Sequence, residues 1–302
     1  MENLLLLFLL GRMVDVMSIG LVLEGGGTRG AYTAGVLDVL AKAQVEFPAV
    51  YGISAGACNA LSWISKQPGR NLEIFSYFVP TDAYVSRKNL LRSGNVFGFD
   101  YIFGKMFHKE IPFDYQTFFE SPIRFRVGAT DVETGQAVFF EKEDIDEKMD
   151  VIRASSALPF LSKMVTIQGR KYMDGGISMS IPVQQSICDG NRFHVVVLTR
   201  DASYVRKGKP DFPKVLIQMK YRKYPNFVRT LLNRPKEYRE ELAYCKKLEE
   251  KGKAIVLRPS VPITIGRCEK DAEKLVAVYE LGVQDCQARL EEIKTFVEKA
   301  KD

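Results

Sequence analysis

The sequence predicts an α/β protein, built as a three-layer α/β/α sandwich with a largely parallel central sheet. Short apolar runs recur along the chain and end at Gly, Pro, Asn or Asp, as buried parallel strands typically do. Helical patterns lie between several of these runs, which favours helices on both faces of one sheet. With 302 residues, 46% of them hydrophobic, the chain can fill a large core.

Each element follows from its local pattern. Helices are predicted over residues 31–43 and 57–66, directly after the first two strands, and Thr134 with Gly135 predicts a hairpin. From Glu269 to the end, the sequence predicts amphipathic helix with charges of both signs. The predicted strands are 19–23, 49–53, 124–129, 137–140, 165–167, 193–199 and 254–257.

The N-terminus carries an apolar run, LLLLFLL, over residues 4–10. It is too short to span a bilayer, and no positive charge precedes it as in a signal peptide. Because Met13 and Met17 follow closely, we expect residues 1–17 to be a leader or non-native start, with the true start at one of these methionines. The alternative is a short interfacial anchor.

The cysteines and the net charge limit which kinds of protein this chain can be. The five cysteines are scattered, and without a C-x-x-C pair they support neither a zinc site nor a disulfide framework. We therefore expect no metal and no cofactor, and a cytoplasmic location with possible peripheral contact at the inner face of the membrane. The net charge of +6 permits contact with anionic surfaces without requiring it.

A glycine-rich loop follows the first strand in LVLEGGGTRGAYTAGVL, residues 21–37. Gly25, Gly27 and Gly30 fit the G-x-G-x-x-G pattern of dinucleotide-binding loops. That function also needs an acidic residue about 20 positions on, at the end of the next strand. Glu46 lies before that strand instead, so nucleotide binding is kept only as an alternative.

The second strand ends in a G-x-S-x-G motif, Gly52 to Gly56. A serine on a tight strand-to-helix turn presents its hydroxyl above the sheet, so Ser54 is the candidate nucleophile. The backbone N–H groups of Gly25, Gly26 and Gly27 can then serve as an oxyanion hole, in which one donor contributes about 2.7–4 kcal/mol.

The base that activates Ser54 is predicted to be Asp174. The chain has two histidines, and neither His108 nor His194 follows a strand as a catalytic histidine usually does. Asp174 follows a strand-like segment, and Gly175 and Gly176 let the chain turn tightly there. Burial can raise the carboxyl pKa from its ordinary value of about 3.9. Taken alone, D-G-G is also a plain turn signal.

The ordered set of motifs resembles the patatin-like phospholipases, in particular their bacterial branch. The family's G-G-G-x-[R/K]-G loop, nucleophile elbow and D-G-[G/A] match residues 25–30, 52–56 and 174–176, and ASSALPF at 154–160 resembles a further block. The resemblance implies a Ser54–Asp174 dyad without histidine or metal, and gives Arg29 and Gly30 a supporting role in the loop. It also implies a catalytic domain over 18–200, followed by a basic, mainly helical extension over 201–302.

The function that this resemblance implies is hydrolysis of lipid esters with release of fatty acid. Acyltransferase or thioesterase use of the same dyad stays open, as does a catalytically quiet membrane-associated scaffold. No headgroup, chain length or oligomeric state is predicted.

Two stretches of unusual composition remain. Residues 71–120 hold 13 of the 33 aromatic residues and predict a helical cap, an acyl-chain groove, or both. Residues 200–239 carry 12 Lys or Arg against three acids. Basic and aromatic residues together suit an anionic membrane surface. They also suit nucleic acid, which we do not expect as a partner, and a solvated basic face is the plain alternative.

Overall fold

A computed structural model describes residues 19–301, and within them eight strands form one mixed sheet. The strands, in chain order, are β1 (Ile19–Leu23), β2 (Ala49–Ile53), β3 (Arg124–Asp131), β4 (Ala137–Phe140), β5 (Val165–Ile167), β6 (Arg170–Asp174), β7 (Phe193–Val197) and β8 (Ala254–Leu257). Their order across the sheet is β5-β6-β3-β2-β1-β7-β8, and β4 pairs with β3 beside this path.

The centre of the sheet is parallel and one side is antiparallel. Strands β3, β2, β1, β7 and β8 run parallel to one another, whereas β4 and β6 run antiparallel to β3, and β5 antiparallel to β6. The carboxyl ends of the five parallel strands therefore meet at one edge, where open α/β sheets bind their ligands.

Helices connect and cover the strands. The α-helices are α1 (Ala31–Lys42), α2 (Ala55–Ile64), α3 (Arg70–Glu73), α4 (Arg87–Ser93), α5 (Tyr115–Glu120), α6 (Asp150–Ser155), α7 (Val183–Cys188), α8 (Lys214–Lys220), α9 (Pro225–Glu250), α10 (Ala272–Ala288) and α11 (Leu290–Lys301). Two π-helices, Ile74–Phe78 and Tyr101–Glu110, lie in the aromatic stretch. Short 3-10 helices span Gly27–Gly30, Lys142–Asp144 and Gly175–Ile177.

Successive side chains along each strand point to opposite faces of the sheet, so the core is divided into two layers. In β1, Leu21 and Leu23 join the cluster that contains apolar side chains of α1, α2, α10 and α11. Val22 joins the opposite cluster, together with side chains of α7 and α9. Helices thus cover both faces of the sheet, and the predicted three-layer α/β/α fold is confirmed.

Most predicted elements agree with the structure. The hairpin through Thr134 and Gly135 is confirmed as the β3–β4 pair, and α2 begins at Ala55, two residues earlier than predicted. The region after residue 200 is mainly helical, but it also supplies β8, which pairs with β7 and extends the sheet. The predictions for residues 1–17 lie outside the described residues.

No helix in residues 19–301 is long and apolar enough to cross a membrane.

Candidate active site

Ser54 lies in the sharp turn between β2 and α2. Its backbone has φ 52° and ψ −119°, a strained conformation for a residue with a side chain. The Ser54 N–H donates a hydrogen bond to the Ser155 Oγ at 2.8 Å, and the Ser155 hydroxyl donates to the Gly128 carbonyl at 2.6 Å. These bonds hold the turn, so the serine hydroxyl is presented at the start of a ten-residue helix.

Two glycines of the motif are required by close backbone contacts. A Cβ at Gly52 would lie 2.6 Å from the Ala57 Cα, and one at Gly56 would lie 2.5 Å from the Leu23 carbonyl oxygen. Larger residues at either position would therefore push α2 away from β1 and β2, and Ser54 would move with it.

Strand register brings Asp174 level with Ser54. Ile53 pairs with Gly128 in the parallel β2–β3 ladder, and Ala129 pairs with Asp174 in the antiparallel β3–β6 ladder. One step beyond Ile53 is Ser54, and one step beyond Gly128 is Ala129. The last residue of β6 therefore lies beside the serine across the end of β3, and both residues line the same cleft.

The Asp174 carboxyl is almost completely buried. Burial raises its pKa above the ordinary value, while the Arg234 charge and the hydrogen bonds from Ser54 and the Gly176 N–H act in the opposite direction. The Gly176 N–H lies 2.8 Å from Oδ1. A carboxylate with a raised pKa is a stronger base than an exposed one, which suits proton abstraction from a hydroxyl.

The glycine loop lies directly beside the serine. A Cβ at Gly25 would lie 3.2 Å from the Ser54 Cβ, and Gly30 packs on α2, where the Asn59 amide donates to its carbonyl at 2.7 Å. Within residues 19–301, no hydrogen bond uses the backbone N–H groups of Gly25, Gly26 or Gly27. These three donors are therefore free to bind an oxygen of a bound substrate.

Both histidines are distant from this arrangement in the fold. His194 is buried at the start of β7, where its Nδ1 lies 3.0 Å from the Ser186 Oγ, and burial lowers its pKa to about 4. His108 stacks on Tyr115 at the end of a π-helix. Neither lines the clefts that meet at Ser54.

An apolar cleft of about 770 Å³, open solvent included, reaches Ser54 from one side. Cys58, one turn after Ser54 on α2, and Leu158 lie on its wall. The aromatic stretch supplies much of the remaining wall, so this segment both caps the core and lines the cleft. The aromatic wall consists of Phe75, Tyr84, Phe97, Phe99, Phe103 and Phe107.

A polar cleft of about 520 Å³, open solvent included, reaches Ser54 from the other side and is here called the arginine cleft. Five arginines line it together with the glycine loop, Ser54 and Asp174: Arg29, Arg200, Arg206, Arg234 and Arg267. Arg29, expected to support the loop, is buried with its side chain on this wall, and its Nε has no hydrogen-bond partner within the described residues.

Sequence reasoning missed several residues of the site. Ser155 lies within the ASSALPF block, but its hydrogen bond with the Ser54 backbone has no local sequence signal. Arg267 gave none either, because it approaches from a loop far along the chain. Arg200 lies three residues after the end of β7, so the rule that places Ser54 at the carboxyl edge of the sheet could also place Arg200 there.

The family model of the patatin-like phospholipases matches residues 21–187, more than half of the chain. The chain belongs to the patatin-like phospholipase family. The predicted family is thus confirmed. A second family model, described as a domain of unknown function (DUF6363), matches residues 224–298.

Individual relatives add little about activity. The uncharacterized protein YjjU of Escherichia coli K12 is 34% identical over 186 residues, which cover 60% of this chain and 52% of that protein. The chain thus spans about half the length of the curated relative it matches. The crystal structure of VipD from Legionella pneumophila aligns with 91% of this chain and 67% of its own, at 13% identity and a TM-score of 0.46.

Proposed function

We propose that this patatin-like protein is a serine acyl hydrolase that cleaves lipid esters with a Ser54–Asp174 dyad. The observation that carries the proposal is the strand register that sets Asp174 beside Ser54, next to three glycine N–H groups without a hydrogen bond and at the junction of two clefts. The nucleophile, base and oxyanion donors of acyl transfer are all within reach of one reacting carbonyl.

The first half of the reaction forms an acyl-enzyme. The Ser54 Oγ attacks the ester carbonyl carbon while Asp174 takes the hydroxyl proton. The carbonyl oxygen becomes an oxyanion, which the N–H groups of Gly25, Gly26 and Gly27 stabilise together with the start of α2. The tetrahedral intermediate then expels the alcohol oxygen, which leaves with the proton from Asp174.

The second half releases the fatty acid. Asp174, again ionised, takes a proton from water as the water oxygen attacks the acyl carbonyl. Collapse of the second tetrahedral intermediate breaks the bond to the Ser54 Oγ, which recovers its proton from Asp174. An acceptor alcohol in place of water would give acyl transfer by the same residues.

The proposal is tested by hydrolysis of a water-dissolved short-chain ester. Ser54→Ala should abolish measurable hydrolysis, because removal of a nucleophile typically costs several orders of magnitude in kcat. Ser260→Ala is the matched control, since Ser260 is exposed and lines neither cleft. Equal activity of Ser54→Ala and the wild type would refute the proposal.

The proposed substrate also requires approach to a lipid surface, and α8 is the segment proposed to make peripheral contact. Val215, Leu216 and Met219 are all about half exposed or more on this short helix. Their spacing places them on one side, and lysines stand at both ends of α8. Apolar side chains between cations suit an anionic membrane, where each cation contributes roughly 1 kcal/mol.

Co-sedimentation with vesicles rich in anionic lipid tests this contact. The double variant Val215→Ser, Met219→Ser should reduce the bound fraction severalfold. The double variant Val261→Ser, Tyr77→Ser removes two exposed apolar residues elsewhere and should bind like the wild type. Equal binding of all three proteins would contradict a role for α8.

A further inference from the structure

Four of the five arginines of the arginine cleft come from the part of the chain beyond residues 21–187. Arg200 follows β7, Arg206 lies in the next loop, Arg234 is on α9, and Arg267 precedes α10. Of the five arginines, Arg29 alone lies within the residues that match the patatin-like model. Most of the positive charge of this cleft thus comes from the C-terminal region, whereas Ser54, Asp174 and the glycine loop lie within the part that matches the family.

Part of the positive charge in the arginine cleft is balanced inside the protein. Asp211 forms ion pairs with three of the arginines, at 2.6 Å to Arg206, 2.5 Å to Arg234 and 3.3 Å to Arg267. Burial would raise the pKa of Asp211, but these three cations lower it below its ordinary value. One carboxylate therefore holds three guanidinium groups in place and neutralises only one of them.

Glu24 also lines the cleft, and its carboxylate oxygens already accept hydrogen bonds from the protein. It accepts hydrogen bonds from the Thr199 N–H at 2.5 Å and from the Tyr238 hydroxyl at 2.8 Å. Counting Glu24, Asp174 and Asp211 against five arginines leaves an excess of two positive charges around the cleft.

Of the five arginines that line the cleft, Arg29 and Arg200 have no ion-pair partner within 4 Å among the described residues. Arg29 is 5% exposed with an unbonded Nε, and burial, followed by repulsion from Arg200 and Arg267, lowers its pKa to about 10. Arg200 stacks on the Tyr204 ring, 4.4 Å from its centroid. A buried cation without a partner, such as Arg29, is costly, and a bound anion would remove much of that cost.

We propose that the arginine cleft binds a phosphate group on the alcohol half of the ester, so that the preferred substrates are acyl esters of a phosphorylated alcohol. This inference rests on the proposed hydrolase function. Ser54 borders both clefts, so an acyl chain in the apolar cleft directs the alcohol half toward the arginines. The occupant of the cleft is then the leaving alcohol with its phosphate.

The charge of the cleft favours a phosphate monoester over other headgroups. A phosphate monoester carries about −1.5 to −2 charges at neutral pH and offers three acceptor oxygens, which matches an excess of two positive charges. Guanidinium groups bind such oxygens in a planar, two-point geometry. A headgroup that carries its own cation, such as choline, would be repelled by the same wall.

Binding to the full-length Ser54→Ala variant tests the inference without turnover. The probes are hexanoyl glycerol 3-phosphate, uncharged monohexanoyl glycerol, glycerol 3-phosphate and inorganic phosphate, titrated by calorimetry in solution where no lipid surface forms. We expect the phosphorylated ester to bind at least about tenfold tighter than the uncharged one, a difference of about 1.4 kcal/mol. Inorganic phosphate should compete weakly.

Arg200 is the position to change, because it lines the cleft without an ion pair that supports the fold. In the Ser54→Ala background, Arg200→Gln should reduce the preference for the phosphorylated ester about tenfold, and Arg200→Lys should restore part of it. Arg222→Gln is the control, since Arg222 is exposed on the same basic segment and does not line the cleft. Thermal unfolding of each variant verifies that it is folded.

The outcomes separate the two proposals. Equal binding of charged and uncharged esters, or equal losses for Arg200→Gln and Arg222→Gln, would overturn the phosphate site even if the wild type hydrolyses esters. Inorganic phosphate binding as tightly as the phosphorylated ester would assign the cleft to free phosphate and also overturn it. Tight, Arg200-dependent binding of the phosphorylated ester without hydrolysis by the wild type would refute the hydrolase and retain the site.

Discussion

The two clefts that meet at Ser54 differ in almost every property except the serine itself. The apolar cleft carries six aromatic side chains, all from residues 71–120, whereas the arginine cleft carries five guanidinium groups, four of them from residues 200–267. Water is easily displaced from the first, whereas the second holds more positive charge than its own carboxylates balance. An ester that spans both must be apolar at one end and anionic at the other.

The difference also separates what the family shares from what this chain adds. Ser54, Asp174 and the glycine loop lie within the residues that match the patatin-like model, whereas four of the five cleft arginines lie outside them. We therefore expect changes to the dyad to affect every ester equally. Changes to one cleft should affect only the half of the substrate that it holds.

We expect the largest effect from a change to Asp174, the proposed base, because hydrolysis of every ester depends on it. Asp174→Asn keeps the shape of the side chain but cannot accept the Ser54 proton, so kcat should fall about a thousandfold or more for charged and uncharged esters alike. Steady-state kinetics on both ester types measures this. Asp201→Asn, which removes a partly exposed carboxylate that lines neither cleft, should leave kcat within about twofold. A loss confined to one ester type in Asp174→Asn would contradict a shared base.

A smaller effect should follow when the apolar cleft is narrowed beside the serine. Cys58→Leu adds methyl groups one turn after Ser54, which excludes several methylenes of a long acyl chain at about 0.8 kcal/mol each. The kcat/KM for a long-chain ester should fall at least about tenfold, with little change for an acetyl ester. Cys58→Ser keeps the size of the side chain and serves as control. Equal losses for both chain lengths would mean that the acyl chain does not occupy this cleft.

The smallest effect should be a shift of the pH profile. The working form of Asp174 is ionised, and because burial raises its pKa, kcat/KM should decrease as pH falls through this raised pKa. Arg234 lowers that pKa, so Arg234→Gln should move the acid limb to higher pH, by about one unit.

An uncharged ester is used for this profile, so that anion binding in the arginine cleft does not contribute. Arg222→Gln should leave the limb in place. A shift of the limb to lower pH in Arg234→Gln would contradict the electrostatic influence of Arg234 on the base.

Local sequence patterns predicted much of the sheet and the candidate dyad. The apolar runs predicted the central strands because buried parallel strands need continuous apolar side chains. The turn residues around Ser54 and Asp174 indicated where the chain must bend. Even β6 was recognisable as a strand-like segment before Asp174, although its antiparallel pairing with β3 was not.

Contacts distant in sequence could not be predicted in the same way. The composition of residues 200–239 predicts one basic surface from 12 cations, whereas the structure places Arg200, Arg206 and Arg234 on the arginine cleft. The directions of Arg206 and Arg234 depend on ion pairs with Asp211, and Arg200 stacks on the Tyr204 ring. None of these contacts has a periodic signal. The bond from the Ser54 N–H to Ser155 spans 101 residues and depends on the placement of α6.

Fluorophosphonate labelling of the purified protein, with the adduct located by peptide mass spectrometry, tests the activated serine most directly. The reagent reacts with serines whose hydroxyl is deprotonated by a neighbouring base. We predict one adduct, on the peptide that contains Ser54, absent in Ser54→Ala and formed much more slowly in Asp174→Asn. A folded wild-type protein that stays unlabelled in the presence of detergent or liposomes, or that is labelled elsewhere, would contradict a Ser54–Asp174 dyad.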